Sequence, residues 1–165
     1  MMIDSRSLIY LWLIFLVFNL LSFAQEESSM IKKLSKGADV ILIGKVTEKK
    51  SSWNENKTRI YTKTTVQVEE YLKGSSNGND VNIIYLGGEV GDVGELYTHM
   101  PKFEDNEEVL VFLKKDGKNE GYKVFSGEDG KMTVISDGKT KEKVTSSNLR
   151  IKDLKSQIKS FINEQ

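Results

Sequence analysis

The chain of 165 residues has no cysteine, one proline and one histidine, and its 24 Lys and Arg balance its 24 Asp and Glu to a formal net charge of zero. Each scarcity excludes something. Without thiols there is no cysteine nucleophile, no cysteine-bound metal and no disulfide, so core packing alone must stabilise the fold. With His99 as the single histidine, a catalytic triad or a zinc site has to be completed by carboxylates. A neutral balance supplies no electrostatic attraction for nucleic acid or for an anionic membrane. Only the N-terminus carries a long apolar run.

That run extends from Leu8 to Leu21, follows the charged Arg6, is interrupted by Asn19, and ends in Ser22-Phe23-Ala24 before Gln25-Glu26-Glu27. A membrane-spanning helix needs about 20 predominantly apolar residues, and this run is shorter. Small residues at Ser22 and Ala24 suit the pocket of a signal peptidase. Residues 1–24 are therefore expected to be a signal peptide cleaved after Ala24, with export to a periplasmic or extracellular space. With no cysteine at the new terminus to carry a lipid, no stable membrane anchor is expected after cleavage.

The chain beyond Ala24 is long enough for one domain with a real core. In the segment 25–37, Met30, Ile31 and Leu34 predict a short helix stopped by Gly37. Ala38–Thr47 is apolar on both faces, the pattern of a strand buried on two sides, with a bend or close backbone approach at Gly44. Lys49–Lys57 reads as a polar loop around Trp53. Strict alternation from Ile60 to Tyr71 marks the clearest strand, with Ile60, Thr62, Thr64, Val66 and Val68 on one face. Val81–Leu86, Glu108–Lys115, Tyr122–Phe125 and Met132–Ile135 predict four more strands, while the glycines of Gly87–Pro101 predict a long loop.

After a barrel spanning 38–145, residues 146–165 change period. Ile151, Leu154, Ile158, Phe161 and Ile162 line one stripe of an amphipathic helix that Ser146 or Ser147 can cap, with the open side of the sheet as its natural cover. Six strands, a glycine bend and helices near both ends describe a mainly β protein, a small OB-like antiparallel barrel. A β-sandwich is the competing architecture.

Three blocks carry a likeness: Ala38-Asp39-Val40-Ile41-Leu42-Ile43-Gly44-Lys45-Val46, then Val66-Gln67-Val68-Glu69-Glu70-Tyr71-Leu72-Lys73-Gly74, then Phe103-Glu104-Asp105-Asn106-Glu107-Glu108-Val109-Leu110-Val111-Phe112-Leu113. Together they resemble bacterial secreted domains related to tissue inhibitors of metalloproteinases and to netrin-like modules. The resemblance implies an OB-like barrel. Those inhibitors chelate the protease zinc through the amine and carbonyl of an N-terminal cysteine fixed by disulfides. Here the expected terminus is Gln25, whose amine can cyclise, and no cysteine is present. The fold is thus implied and the inhibitory residue is not carried over.

No residue pattern establishes a catalytic, cofactor or metal site. The series Gly88, Gly91, Gly94 lacks the following Lys-Ser/Thr pair and helix of a phosphate loop, and Glu89 and Asp92 would repel phosphate. Carboxylates at Glu89, Asp92, Glu95, Glu104 and Asp105 form no EF-hand pattern. His99, before Met100-Pro101, reads as a structural or exposed loop residue. The expectation is a non-catalytic binding module without a cofactor, engaging an extracytoplasmic protein through the Lys49–Arg59 and Gly87–Met100 loops. Trp53, Glu89, Asp92, Tyr97 and His99 are its candidate contact residues. Inhibition of a metalloprotease by the mature N-terminus is the alternative.

Overall fold

The computed structural model describes residues 28–117 and 121–164. The expected signal peptide, its cut after Ala24 and the terminus at Gln25 lie outside the described residues. From Leu34 onward the chain forms one compact unit. Helix α1 covers 28–37. The strands are β1 (Val40–Trp53), β2 (Ile60–Lys73), β3 (Asp80–Leu86), β4 (Gly88–Val90), β5 (Val93–Glu95), β6 (Glu108–Lys115), β7 (Tyr122–Val124), β8 (Lys131–Ser136) and β9 (Lys143–Thr145). A one-turn 3-10 helix, Gly127–Gly130, precedes β8, and helix α2 (Ile151–Asn163) ends the described chain.

The seam order β1-β2-β3-β7-β6, with β6 returning to β1, closes a five-stranded barrel. The pairing of Val40–Lys45 with Leu113–Glu108 is the closure that a two-layer sandwich lacks. The architecture is the OB-like barrel that the strand pattern predicts, with one refinement. Every seam is antiparallel except β3 with β7, which run parallel and meet at Ile83↔Tyr122.

The two apolar faces of β1 explain the closure. Val40, Leu42 and Val46 join Val66, Val81, Ile83, Phe103, Val109, Val111 and Leu113 in the core cluster. Ile41, Ile43, Leu110 and Phe112, on the other face of the same two strands, are buried as well. Removing such a side chain from water stabilises the fold by about 1.5–3 kcal/mol. Gly44 sits where β2 crosses β1: a Cβ there would lie 2.4 Å from the Gln67 carbonyl oxygen. The strand register also shifts between Ile43 and Gly44, so the bend expected at this glycine is real.

Three expectations are corrected. Lys49–Trp53 is not a loop: β1 runs through it, paired with β2 as far as Trp53↔Ile60. This part of the strand has left the barrel and is wet on its faces, so no apolar period marks it. The turn proper is Asn54–Arg59, tied by the Asn54 side chain, whose Oδ1 accepts the Thr58 and Arg59 amides at 2.7 and 3.1 Å. Gly87–Pro101 is not all loop either, because β4 and β5 form a hairpin around Gly91-Asp92.

The third correction concerns α2, which Ser146 and Ser147 do not cap. Residues 145–150 fold into a turn instead. The Thr145 hydroxyl accepts the Leu149 amide at 3.1 Å, Asn148 takes a φ of 66°, and Arg150 precedes the helix without a side-chain cap. Ile151, Leu154 and Ile158 are buried where the helix packs along β2 and β9, as the stripe predicts. Among the described residues no helix is long and apolar enough to cross a membrane.

In α1, Leu34 and Ser35 are buried. The Lys73 ammonium donates to the Ser35 and Lys36 carbonyls at 2.8 and 3.2 Å. A cation on the last carbonyls complements the helix end. Burial, and then the charge of Lys114, push the Lys73 amine below its usual range, against the pull of Asp39.

Candidate functional site

Where β1 leaves the barrel, an open groove of about 790 Å³ forms between the β1–β2 arm, the β4–β5 hairpin and residues 96–104. Its floor is polar. Alternation puts Lys49 and Ser51 of β1 on the same face as Thr62 and Thr64 of β2, through the pairs Lys49↔Thr64 and Ser51↔Thr62. The Thr62 hydroxyl donates to the Gly87 carbonyl at 2.6 Å. Its one proton spent, it accepts from Ser51 Oγ at 2.8 Å. Gly88, at a φ of 131°, passes directly over this pair, and a Cβ would stand 2.3 Å from Thr62 Oγ1 and 2.4 Å from Ser51 Oγ. Only glycine lets the hairpin sit this close.

One wall is fixed by Glu95. Its carboxylate accepts the Ile60 amide at 3.0 Å and the Tyr97 hydroxyl at 2.9 Å, tying β5 to the start of β2. The Ile60 N–H, and after it the Tyr97 hydroxyl and the Arg59 charge, hold this carboxyl below the usual range against the opposing effect of burial. Burial and the bond to Glu95 push the Tyr97 hydroxyl up, so it stays a protonated donor. Both groups are engaged in holding the wall.

The opposite wall hangs on Phe103, which is buried, stacks at 5.6 Å on Tyr85, and has the Lys131 ammonium 5.6 Å from its ring centre. Lys49 Nζ reaches the Phe103 carbonyl at 3.0 Å and the Glu104 carboxylate at 3.5 Å. Behind it, Glu107 accepts from Lys131, from Thr133 and from the Glu104 amide. Burial raises the Glu107 carboxyl, but these three donors outweigh it and leave the group below its ordinary value.

Of the five residues singled out from the sequence, Glu89 and Tyr97 line the groove. Trp53 is a strand residue paired with Ile60 and does not line it. Asp92 lies in the exposed hairpin turn. His99 is outside the groove lining, with a φ of 63°, an exposed ring whose Nδ1 lies 3.0 Å from Glu128, and a carbonyl that accepts the Glu128 amide at 3.0 Å. It links the groove-lining segment to the 3-10 helix. Thr62 was not singled out, and Lys49 and Ser51 entered only as part of the Lys49–Arg59 segment, because a strand face of Thr, Ser and Lys looks like a solvated surface; the one available signal was the Gly87-Gly88 pair.

One pentapeptide, Gly74-Ser75-Ser76-Asn77-Gly78, has the spacing of a hydrolase nucleophile turn. It joins β2 to β3 with no helix after it, so it lacks the strand-to-helix turn which exposes such a serine. Among the described residues, no three His, Asp or Glu side chains are placed to hold a metal ion. Fold and groove together define an OB-like barrel with a concave, mixed-polarity surface on one flank. The chain matches no protein-family model and no curated protein.

Proposed function

We propose that the chain is an exported, non-catalytic binding module that holds another extracytoplasmic protein in this groove. The observation that carries the reading is the groove itself: an open cleft of about 790 Å³ whose floor hydroxyls and Glu95–Tyr97 wall are engaged in shaping it. Ser51 donates to the Thr62 hydroxyl and Thr62 to the Gly87 carbonyl, neither of them a base, and the Tyr97 hydroxyl on the Glu95 carboxylate is pushed up and stays protonated, which supports a non-catalytic role. At its lip Leu96 is 79% exposed and Val93, nearby on β5, is 48% exposed, apolar surface of the kind a protein partner covers. The Leu8–Leu21 run ending in Ser22-Phe23-Ala24 supports export, and the likeness to inhibitor and netrin-like modules supports a binding role.

A photo-crosslinking side chain placed at Leu96, compared with one at Ser156 on the exposed side of α2, tests this in the native secretions. A protein adduct that forms from position 96 and not from 156 is expected. No adduct at 96, or equal adducts at both positions, would sink the reading.

A further inference from the structure

Resting on that reading of the groove, we propose that its occupant is an extended peptide segment that adds as a third strand to the outer edge of β5 at Gly94 and presents a basic side chain to Glu89. The edge is open by construction. β4 and β5 pair as Gly88↔Glu95, Glu89↔Gly94 and Val90↔Val93 around the two-residue turn Gly91-Asp92. In such a hairpin the pair closing the turn is hydrogen-bonded and the bonded pairs alternate, so Gly94 belongs to the unbonded pair between them. Its N–H and C=O therefore face away from β4. Neither bonds to a described residue outside the ladder, and Gly94 is exposed and lines the groove.

A peptide residue set directly opposite Gly94 in an antiparallel pair exchanges both backbone bonds with it and shares its face. That is the face of Glu89, whose Cγ lies 3.4 Å from where a Gly94 Cβ would be. Because Gly94 has no side chain, nothing stands between Glu89 and that residue two strands away, a gap of about 10 Å that two long side chains can bridge. Glu89 has no ion pair or hydrogen bond among the described residues. An exposed, unpartnered carboxylate there selects Lys or Arg. Val93 and Leu96, exposed before and after Gly94, supply apolar contact to the flanking positions.

The probe is a phage-displayed library of random dodecapeptides, panned on the full secreted chain, with affinities of the selected peptides read by fluorescence anisotropy. Selected peptides are expected to carry a basic residue within an extended apolar stretch. Gly94→Pro removes the outward N–H without touching the β4 ladder and is expected to weaken binding about tenfold or more, the equivalent of one lost hydrogen bond. Gly94→Ala, whose added Cβ meets the Glu89 Cγ at 3.4 Å and the Gly88 carbonyl oxygen at 3.9 Å, keeps the outward N–H and is expected to weaken binding less than Gly94→Pro does. Should Gly94→Pro fail to fold, Glu89→Lys decides, because it must weaken the basic peptides and favour versions with Glu at that position. Unchanged affinity in a folded Gly94→Pro chain, or indifference to the charge reversal, overturns the proposal. If the Leu96 crosslink survives in Gly94→Pro, strand addition fails while the groove remains the binding surface.

Discussion

The two halves of β1 are built to opposite specifications. From Val40 to Gly44 every residue is buried, and through Lys45 the strand is paired on both edges, with β2 on one side and β6 on the other. From Thr47 to Trp53 it keeps only β2 as a partner, and no residue there is buried. The change falls at Val46, whose amide bonds the Glu107 carbonyl at 2.8 Å and whose carbonyl accepts from Asn106 at 3.1 Å; the register slips just beyond. One strand therefore staples the barrel shut and then leaves it as an arm. The groove comes from where the barrel stops using β1.

The largest effect is expected from putting the same bulk into each half. Gly44→Val drives a side chain into the Gln67 carbonyl and the Val66 methyl, 2.4 and 2.8 Å from the new Cβ, and is expected to cost on the order of 4 kcal/mol. Ser52→Val, on the exposed arm, should stay within about 0.5 kcal/mol of wild type. Chemical denaturation of both variants measures the contrast, and equal losses would mean that the halves are not distinct.

An intermediate effect is expected at the junction. Glu107→Gln weakens the bonds to Lys131, Thr133 and the Glu104 amide, and should cost about 1–3 kcal/mol at neutral pH. The folded chain holds this carboxyl below its ordinary value of 4.5, so ionisation favours the fold. Its stabilisation is complete above about pH 4.5 and is lost as the pH falls through the lower folded value. Denaturation from pH 7 to pH 3 should show the gap between wild type and variant narrowing only at the acid end; a gap constant with pH would remove Glu107 from the account.

The smallest effect should be a gain. Lys50 and Lys63 face each other directly across the arm, both exposed and without an ion pair among the described residues. Like charges so placed repel, and Lys50→Glu should stabilise the arm by about 0.2–1 kcal/mol. Calorimetry in low salt reads this as a small rise in Tm that added salt diminishes.

How much of this was legible in the sequence depends on whether a face was dry. The buried half of β1 and all of β6 announced themselves through apolar residues on both faces, and β2 through alternation over a core. The arm half of β1 did not, since Lys49, Lys50, Ser51 and Ser52 carry no apolar period when neither face is buried. β4 and β5 were hidden because Gly88 and Gly94, which bring backbone close to Ser51, Thr62 and Glu89, read locally as turn formers. β9 was missed because Lys143–Thr145 is too short to show a period. Glu89 and Tyr97, which line the groove, were singled out because charged and aromatic residues in a glycine-rich segment attract notice. Ser51, Thr62 and Lys49 come together only through strand register, which no local pattern reveals.

The parallel seam has a consequence for motion. β3 meets β7 through the single register pair Ile83↔Tyr122 among the described residues, whereas β1 holds β6 along the whole run from Val40↔Leu113 to Lys45↔Glu108. A closed hoop opens at its thinnest link, and separating one pair exposes far less than unzipping a ladder. The molecule thus has a preferred place to breathe: a slit beside β7 can admit solvent to Ile83 and Tyr85 while the β1–β6 staple stays closed. Tyr85 is also the ring on which Phe103 stacks, so such a slit reaches the wall of the groove from behind.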